Sequence, residues 1–317
     1  LVIVNLTGVV IHASANLKHI TGYVPEKILG QQIPQEWMTL ATQDITWSQF
    51  EFRCALPCAA RGTDGVLLDA VVTKAELGNL LIEFSQPTNE AGAMESVQPR
   101  FSKEAVPGNA EEVREATQWI TQLVSQETGF GRVMYYHFRE DGDGEVSAEV
   151  CSSKEYGNYL GLRYPASDIP LVARQLYVLN PWRLIPDIQA EAVALLSSEA
   201  QQVADLSLTD LRSVSPVHVQ YLANMEVRAS LSFPLLMNGE LVGLIAAHHF
   251  VPRTVDLACL LRVAAQVKHH SEAIAAYQLQ QRMRLVDRLH FQFSGLLPWF
   301  SSFEALSEHW DDVAEVL

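Results

Sequence analysis

The sequence predicts an α+β protein with two antiparallel sheets, each flanked by helices, and one long helix after them. Three observations carry this. Short apolar runs divided by Gly- and Asn-containing turns fill two blocks, residues 1–87 and 110–255. A polar stretch holding Pro and Gly, residues 88–109, separates the blocks as a linker. From 256 to His290 an apolar stripe repeats at helical spacing without a proline. That run is long for a globular helix and suits a connector or dimer helix reaching toward 317.

In the first block, Leu1 to Val4 and Val9 to Ile11 read as strands joined by a turn at Thr7-Gly8. Gly22, Pro25 and Gly30 break short helices between Ala13 and Leu29. Strands follow at Phe50–Leu56, Val66–Lys74 and Leu80–Phe84, with turns at Gly62–Gly65 and Gly78-Asn79. The second block opens on an amphipathic helix bearing Val113, Ala116, Ile120, Leu123 and Val124. Glu111 and Glu112 suit its positive end. Strands follow at Arg132–Phe138, Glu145–Cys151, Ala229–Met237 and Leu241–His248, the last pair joined by the hairpin dipeptide Asn238-Gly239.

At 317 residues and 48% apolar, the chain can bury two cores. The net charge of −15 argues against general nucleic-acid binding, which needs a basic face. No apolar run is long enough to span a bilayer, and no signal peptide is visible, so a soluble cytoplasmic protein is expected. The chain opens inside a strand and stops soon after Pro298, and reads as a piece of a longer protein. Its four cysteines, Cys54, Cys58, Cys151 and Cys259, are expected to be reduced and packed. No metal-ligand spacing occurs among them.

The residues with chemistry lie between Tyr136 and His248. Arg183 and Arg212 each offer a planar fork that suits a carboxylate; taken singly, each reads more readily as a surface ion pair. Ser213, Ser215, Ser230 and Ser232 add hydroxyls, the last two on one face of a strand. His218 opens a helical pattern. His248 and His249 end an apolar strand, so one faces inward and the other outward. An inward His248 needs a polar partner, such as a ligand carbonyl. Asp168 in YPASDIP reads as a helix cap whose backbone carbonyl can still face a ligand N–H. Tyr136, Tyr164 and Tyr221 read as core aromatics with a phenol to offer. No poised acid–base pair or metal site is visible, so this fragment is not expected to be an enzyme.

Four segments in this order carry a resemblance: YPASDIP (164–170), LY-x2-N-x2-R-x-I-x-D (176–187), DLSLTDLRSVSPVHVQYLANM (205–225) and GLIAAHH (243–249). Together they resemble the bilin-binding GAF domain of bacterial phytochromes. The first block resembles a PAS domain in its strand order. The resemblance implies a PAS domain at 1–87, a GAF domain at 110–255 and a connector helix with the start of a PHY-linking segment at 256–317. It also implies an N-terminal figure-of-eight knot through a loop between Ile188 and Leu211.

The resemblance further implies a linear tetrapyrrole, biliverdin, and a red/far-red photoreceptor. Arg183 and Arg212 would take its propionates, assisted by Tyr177, Ser215, Ser230 and Ser232. His218 would lie against the inner pyrroles, and Asp168 with Ile169 would meet their NH groups. His248 would bond the terminal ring carbonyl in a space lined by Tyr136, Tyr164 and Tyr221. The implied partners are a second copy of the chain through the GAF and connector helices, PHY and output kinase domains in cis, and a response regulator.

Two residues depart from the family pattern. Val217 stands where plant-type members carry the attachment cysteine, so the expected thiol lies upstream of Leu1. Glu226 stands where the family has Gly, at a turn needing positive φ. A different reading is a bilin-free redox or protein-interaction sensor working through Cys151 or Cys259. A small-ligand or cyclic-nucleotide GAF domain would not use the two histidines.

Overall fold

A computed structural model describes residues 1–42, 53–75, 78–87, 106–199, 203–296 and 310. The expected strand start at Phe50, most of the linker and the chain after 296, apart from Trp310, lie outside the described residues. The first sheet is built from β1 (Val2–Val4), β2 (Val10–Ser14), β3 (Arg53–Arg61), β4 (Leu67–Lys74) and β5 (Leu80–Ser85). Three helices, α1 (Leu17–Thr21), α2 (Pro25–Ile28) and α3 (Gln35–Thr42), stand between β2 and β3. Their apolar sides bury Leu17, Ile28, Trp37 and Leu40 against Val10, Leu68, Val72 and Phe84.

The second sheet takes its order, β8-β7-β6-β12-β11-β9, from β6 (Arg132–Phe138), β7 (Gly144–Cys151), β8 (Arg163–Tyr164), β9 (Arg183–Ile185), β11 (Ala229–Met237) and β12 (Glu240–His249). Every pairing is antiparallel. The Asn238-Gly239 turn takes φ of 53° and 82°, the left-handed pair that a two-residue hairpin requires. One sheet face packs Val133, Tyr135, Leu231, Phe233, Ile245 and Ala247 against α4 (Ala110–Thr128) and the first turns of α7 (Leu257–Leu296). Asn109 caps α4 by accepting from the N–H groups of Glu111 and Glu112, at 2.9 and 3.0 Å. Such a cap stabilises a helix by about 1 kcal/mol.

A three-residue strand, β10 (Leu195–Ser197), lies in the long loop after β9. It leaves the second sheet and pairs with β2, giving the first sheet the order β10-β2-β1-β5-β4-β3. Leu195 and Leu206 of that loop then cover Leu1, Ile3, Ile11 and Leu81. Sequence alone did not mark this strand.

Glu226 follows α6 (Pro216–Asn224) at φ 58°, so the turn keeps the left-handed geometry although the residue is not Gly. A side chain there costs roughly 1 kcal/mol. Glu226→Gly is therefore expected to raise stability by about 0.5–1 kcal/mol in urea unfolding. A loss of stability would show that the Glu side chain contributes more than the backbone strain costs.

Two expectations are corrected. The N-cap of α5 (Leu171–Leu179) is Pro170, with no side-chain cap, so Asp168 does not cap it. A short 3-10 turn, Ala166–Asp168, ends before the helix starts and leaves the carboxylate free to point inward. Of the cysteines, Cys54 and Cys259 are buried, but Cys58 and Cys151 are exposed.

Candidate functional site

The second sheet's other face is where the chemistry gathers. Strand alternation puts Ser230 and Ser232 of β11, Ala246 and His248 of β12, and Met134 and Tyr136 of β6 on that side. Register sets them side by side: Ser230 opposite His248, His248 opposite Arg132, Ser232 opposite Ala246. Over this face lie the 3-10 turn, α5 and α6. Tyr164, Ile169 and Tyr177 pack against Met134, Tyr136 and Leu244. Gly144 is what lets Tyr136 lie flat there, since a Cβ on it would sit 1.8 Å from the ring's Cζ.

One end is cationic. Arg183, paired across from Ser232, donates to the carbonyls of Asp210 and Arg212 at 2.7 and 2.6 Å. Arg212 donates to the Thr209 carbonyl. Burial and then the neighbouring Arg212 pull Arg183 down to about 10; Tyr177, Asp210 and Glu83 offset this only in part. Burial pushes the Tyr177 phenol up, and the neighbouring Ser232, Arg183 and Arg212 offset this in part. Two desolvated guanidiniums beside phenol and serine hydroxyls can hold two carboxylates of one ligand.

The middle belongs to His218 on α6, held toward its neutral form by burial and by Arg183. Its ring lies nearly parallel to Tyr221, with centroids 6.1 Å apart. At the far end is His248, 8% exposed. Burial, then Arg132 and His218, pull its pKa down to about 3, so it is a neutral imidazole. Its Nδ1 is buried without a hydrogen-bond partner. Leaving such a nitrogen unpaired costs about 1–3 kcal/mol, which a ligand oxygen or N–H would recover. His249 faces the other way and accepts from the Gly131 N–H at 3.0 Å. Further along β6 stand Tyr136, opposite Leu244 and pushed up to about 12 by burial and then Asp168, and Tyr164, 6.0 Å from it centroid to centroid. Tyr221 senses Asp168, Tyr164 and Tyr136 together.

Of the residues singled out from sequence, twelve thus meet at this face. Ser213 and Ser215 do not: both are exposed, and the Ser215 side chain makes no cap bond at the start of α6. Sequence reading passed over three supports. Arg174 donates to the carbonyls of Ile169 and Gly142 at 2.8 and 2.7 Å and lies 4.1 Å over Phe138, which fixes the 3-10 turn. Its signal was a cation in the first turn of a helix, where the dipole disfavours it unless it has other partners. Arg132, 2% exposed, pairs with Glu149 at 3.3 Å and stacks 3.6 Å over Tyr159. Asp210 accepts from the Trp182 indole at 3.0 Å.

Comparison with known proteins agrees with this geometry. The GAF domain family matches residues 112–268. A bacteriophytochrome of Pseudomonas aeruginosa is 46% identical over 139 residues, covering 43% of this chain and 19% of that protein. A phytochrome-like protein of Synechocystis is 34% identical over 266 residues, covering 76% and 34%. The chain spans about a third or less of the length of these curated relatives. The solved chromophore-binding domain of a Stigmatella aurantiaca bacteriophytochrome superposes with a TM-score of 0.72 at 28% identity, over 87% of this chain and 93% of that one. Another, from a bacteriophytochrome of R. palustris, has a TM-score of 0.72 at 23% identity over 88% and 93%, a likeness of fold. Two antiparallel sheets in PAS–GAF order, a cluster of polar side chains on one face of the second and these relatives give one conclusion: the chain is a phytochrome photosensory module.

Proposed function

We propose that the GAF pocket binds a linear tetrapyrrole, biliverdin, and that the module reports red and far-red light. The observation that carries this is one sheet face with a desolvated two-arginine clamp at one end and the unpaired Nδ1 of His248 at the other. A ligand with two carboxylates on one edge and a polar ring at its tip satisfies both. Arg183 and Arg212 hold the carboxylates, with Tyr177, Ser230 and Ser232 beside them and Ser215 at the rim. His218 orders the centre, and the Asp168–Ile169 turn supplies a carbonyl to ring NH groups. Tyr136, Tyr164 and Tyr221 shape the space around the end ring. When bound, the bilin supplies light absorption and a bond that isomerises. The protein's part is to offer His248 one hydrogen-bonding arrangement before that change and another after it.

The domain division is proposed as PAS 1–87, linker 88–109, GAF 110–255 and connector 256–317. Attachment through a thiol upstream of Leu1 fits the absence of Cys at 217. Leu279, Met283, Val286 and Phe293 follow one another at four-, three- and seven-residue steps on α7, and all are exposed. That spacing supports a homodimer through the connector, with a PHY domain and a histidine-kinase output beyond it that passes the signal to a response regulator. Among the described residues no helix is long and apolar enough to cross a membrane, and we infer a cytoplasmic setting. The bilin-free redox reading is weaker, because burial pushes the Cys259 thiol up, and partial desolvation with the nearby Glu149 carboxylate raises that of Cys151.

The test is His248→Ala in the biliverdin-loaded protein. Uptake is expected to fall less than tenfold, while the extent or rate of red-light conversion changes at least severalfold. Photoconversion identical to the parent would reduce His248 to a core residue and remove the main support for the reading.

A further inference from the structure

Three charged residues of the PAS sheet are buried where strand cores usually hold aliphatics: Asp69, which accepts the Cys58 N–H within the sheet, and Arg53 on β3 at 2% exposure and Glu83 on β5 at 4%. Buried charges persist only with partners; Arg53 and Glu83 attract each other, Glu83 also faces the Leu1 ammonium, and both reach into the GAF half. Arg53 ion-pairs with Asp210, points to the Leu208 carbonyl at 3.5 Å and stands 5.0 Å over the Trp182 ring. Trp182 in turn donates to the same Asp210 carboxylate. Glu83 accepts the Leu211 N–H at 2.9 Å. The stretch from Leu208 to Arg212 is thereby fastened to the PAS sheet at Leu208, Asp210 and Leu211.

The same stretch carries the arginine clamp. Its carbonyls at Asp210 and Arg212 hold the Arg183 fork, and its Thr209 carbonyl holds Arg212. Each residue of the stretch thus has one group tied to the PAS sheet or one group aiming a clamp arginine. A shift of the stretch would change the separation and aim of both forks. Carboxylate recognition by two planar donors is sensitive to such a shift.

We propose that Arg53 and Glu83 are positioning residues for the two-arginine clamp, so that the PAS domain presets the carboxylate specificity of the GAF pocket. This rests on Arg183 and Arg212 being the carboxylate clamp. The ligand class it bears on is a dicarboxylate, and the neutral diester of the same ligand escapes it.

The experiment titrates the full chain with biliverdin and, separately, with biliverdin dimethyl ester. Arg53→Met is expected to raise the Kd for the diacid about tenfold, equal to about 1.4 kcal/mol, and that for the diester less than twofold. Glu83→Gln keeps an acceptor for the Leu211 N–H and is expected to retain diacid affinity, whereas Glu83→Val loses it. Should Arg53→Met strand the Asp210 carboxylate and not fold, Arg53→Met/Asp210→Asn removes both charges together and reads the same selectivity. Equal weakening toward diacid and diester, or no change toward either, overturns the proposal and leaves the contacts as domain glue. If the unmodified chain already fails to prefer the diacid, the clamp reading itself falls, and the proposal falls with it.

Discussion

Arg183→Ala is expected to raise the Kd for biliverdin by roughly 10- to 100-fold, the effect of losing a charged, two-pronged hydrogen bond worth about 1.5–3 kcal/mol. Arg183 should matter more than Arg212. It is strand-paired with Ser232, lies beside Tyr177 and is pulled down to about 10 by burial and its like-charged neighbour. A carboxylate arriving there relieves that repulsion as well as forming bonds. Arg183→Lys keeps the charge but not the fork, so it should recover only part of the loss. The check is a binding titration of each variant beside a urea melt, since the substitution also frees the carbonyls of Asp210 and Arg212. Unchanged affinity in a folded Arg183→Ala protein would remove this residue from the site.

Between pH 7 and pH 5 two buried histidines should cost the ligand-free protein about 3–4 kcal/mol of stability, of which Glu83 returns about 2 kcal/mol. His248 and His270 carry that loss. His270 of α7 lies 5% exposed behind the sheet, 3.2 Å from the Tyr135 hydroxyl, and burial and then His269 pull it down to about 4. His248 is pulled down to about 3. A histidine depressed in the folded state binds its proton more readily when unfolded. Its contribution is therefore complete above about 6.5 and is lost as pH falls toward the folded value, at about 1.4 kcal/mol per unit. Glu83 acts in the opposite sense: burial and Asp210 raise its carboxyl, so its contribution grows as pH falls. Comparison with His270→Gln isolates one histidine, and that variant should show about 2 kcal/mol less pH dependence over this interval. An unaltered slope would mean that His270 does not resist protonation.

What the sequence revealed and what it withheld divide along a physical line. β6 and β11 were expected at Arg132–Phe138 and Ala229–Met237 and are found there, because alternation and the Asn238-Gly239 turn are local signals. β10 was not foreseen: among the described residues it pairs with β2 alone, with Leu195 opposite Ser14, and three residues hold too little pattern to announce it. Arg53 and Glu83 were unremarked for a related reason. A charge on a strand reads as solvent-facing, and here it is the other domain that buries it. Asp168 shows the reverse error, a local helix-start signal that the chain does not use because Pro170 takes the cap position. The pocket residues were legible through their order along the chain, whereas Arg174 and Arg132, which hold them in place, became visible only through their contacts.

The most direct test of the account is the absorbance spectrum of the purified protein mixed with biliverdin, before and after red light. A red-shifted band that shrinks under red light while a second band grows at longer wavelength is the predicted result, with the change reversing in darkness or under far-red light. A spectrum no different from free biliverdin, or a bound band indifferent to light, would contradict a photosensory role for this pocket.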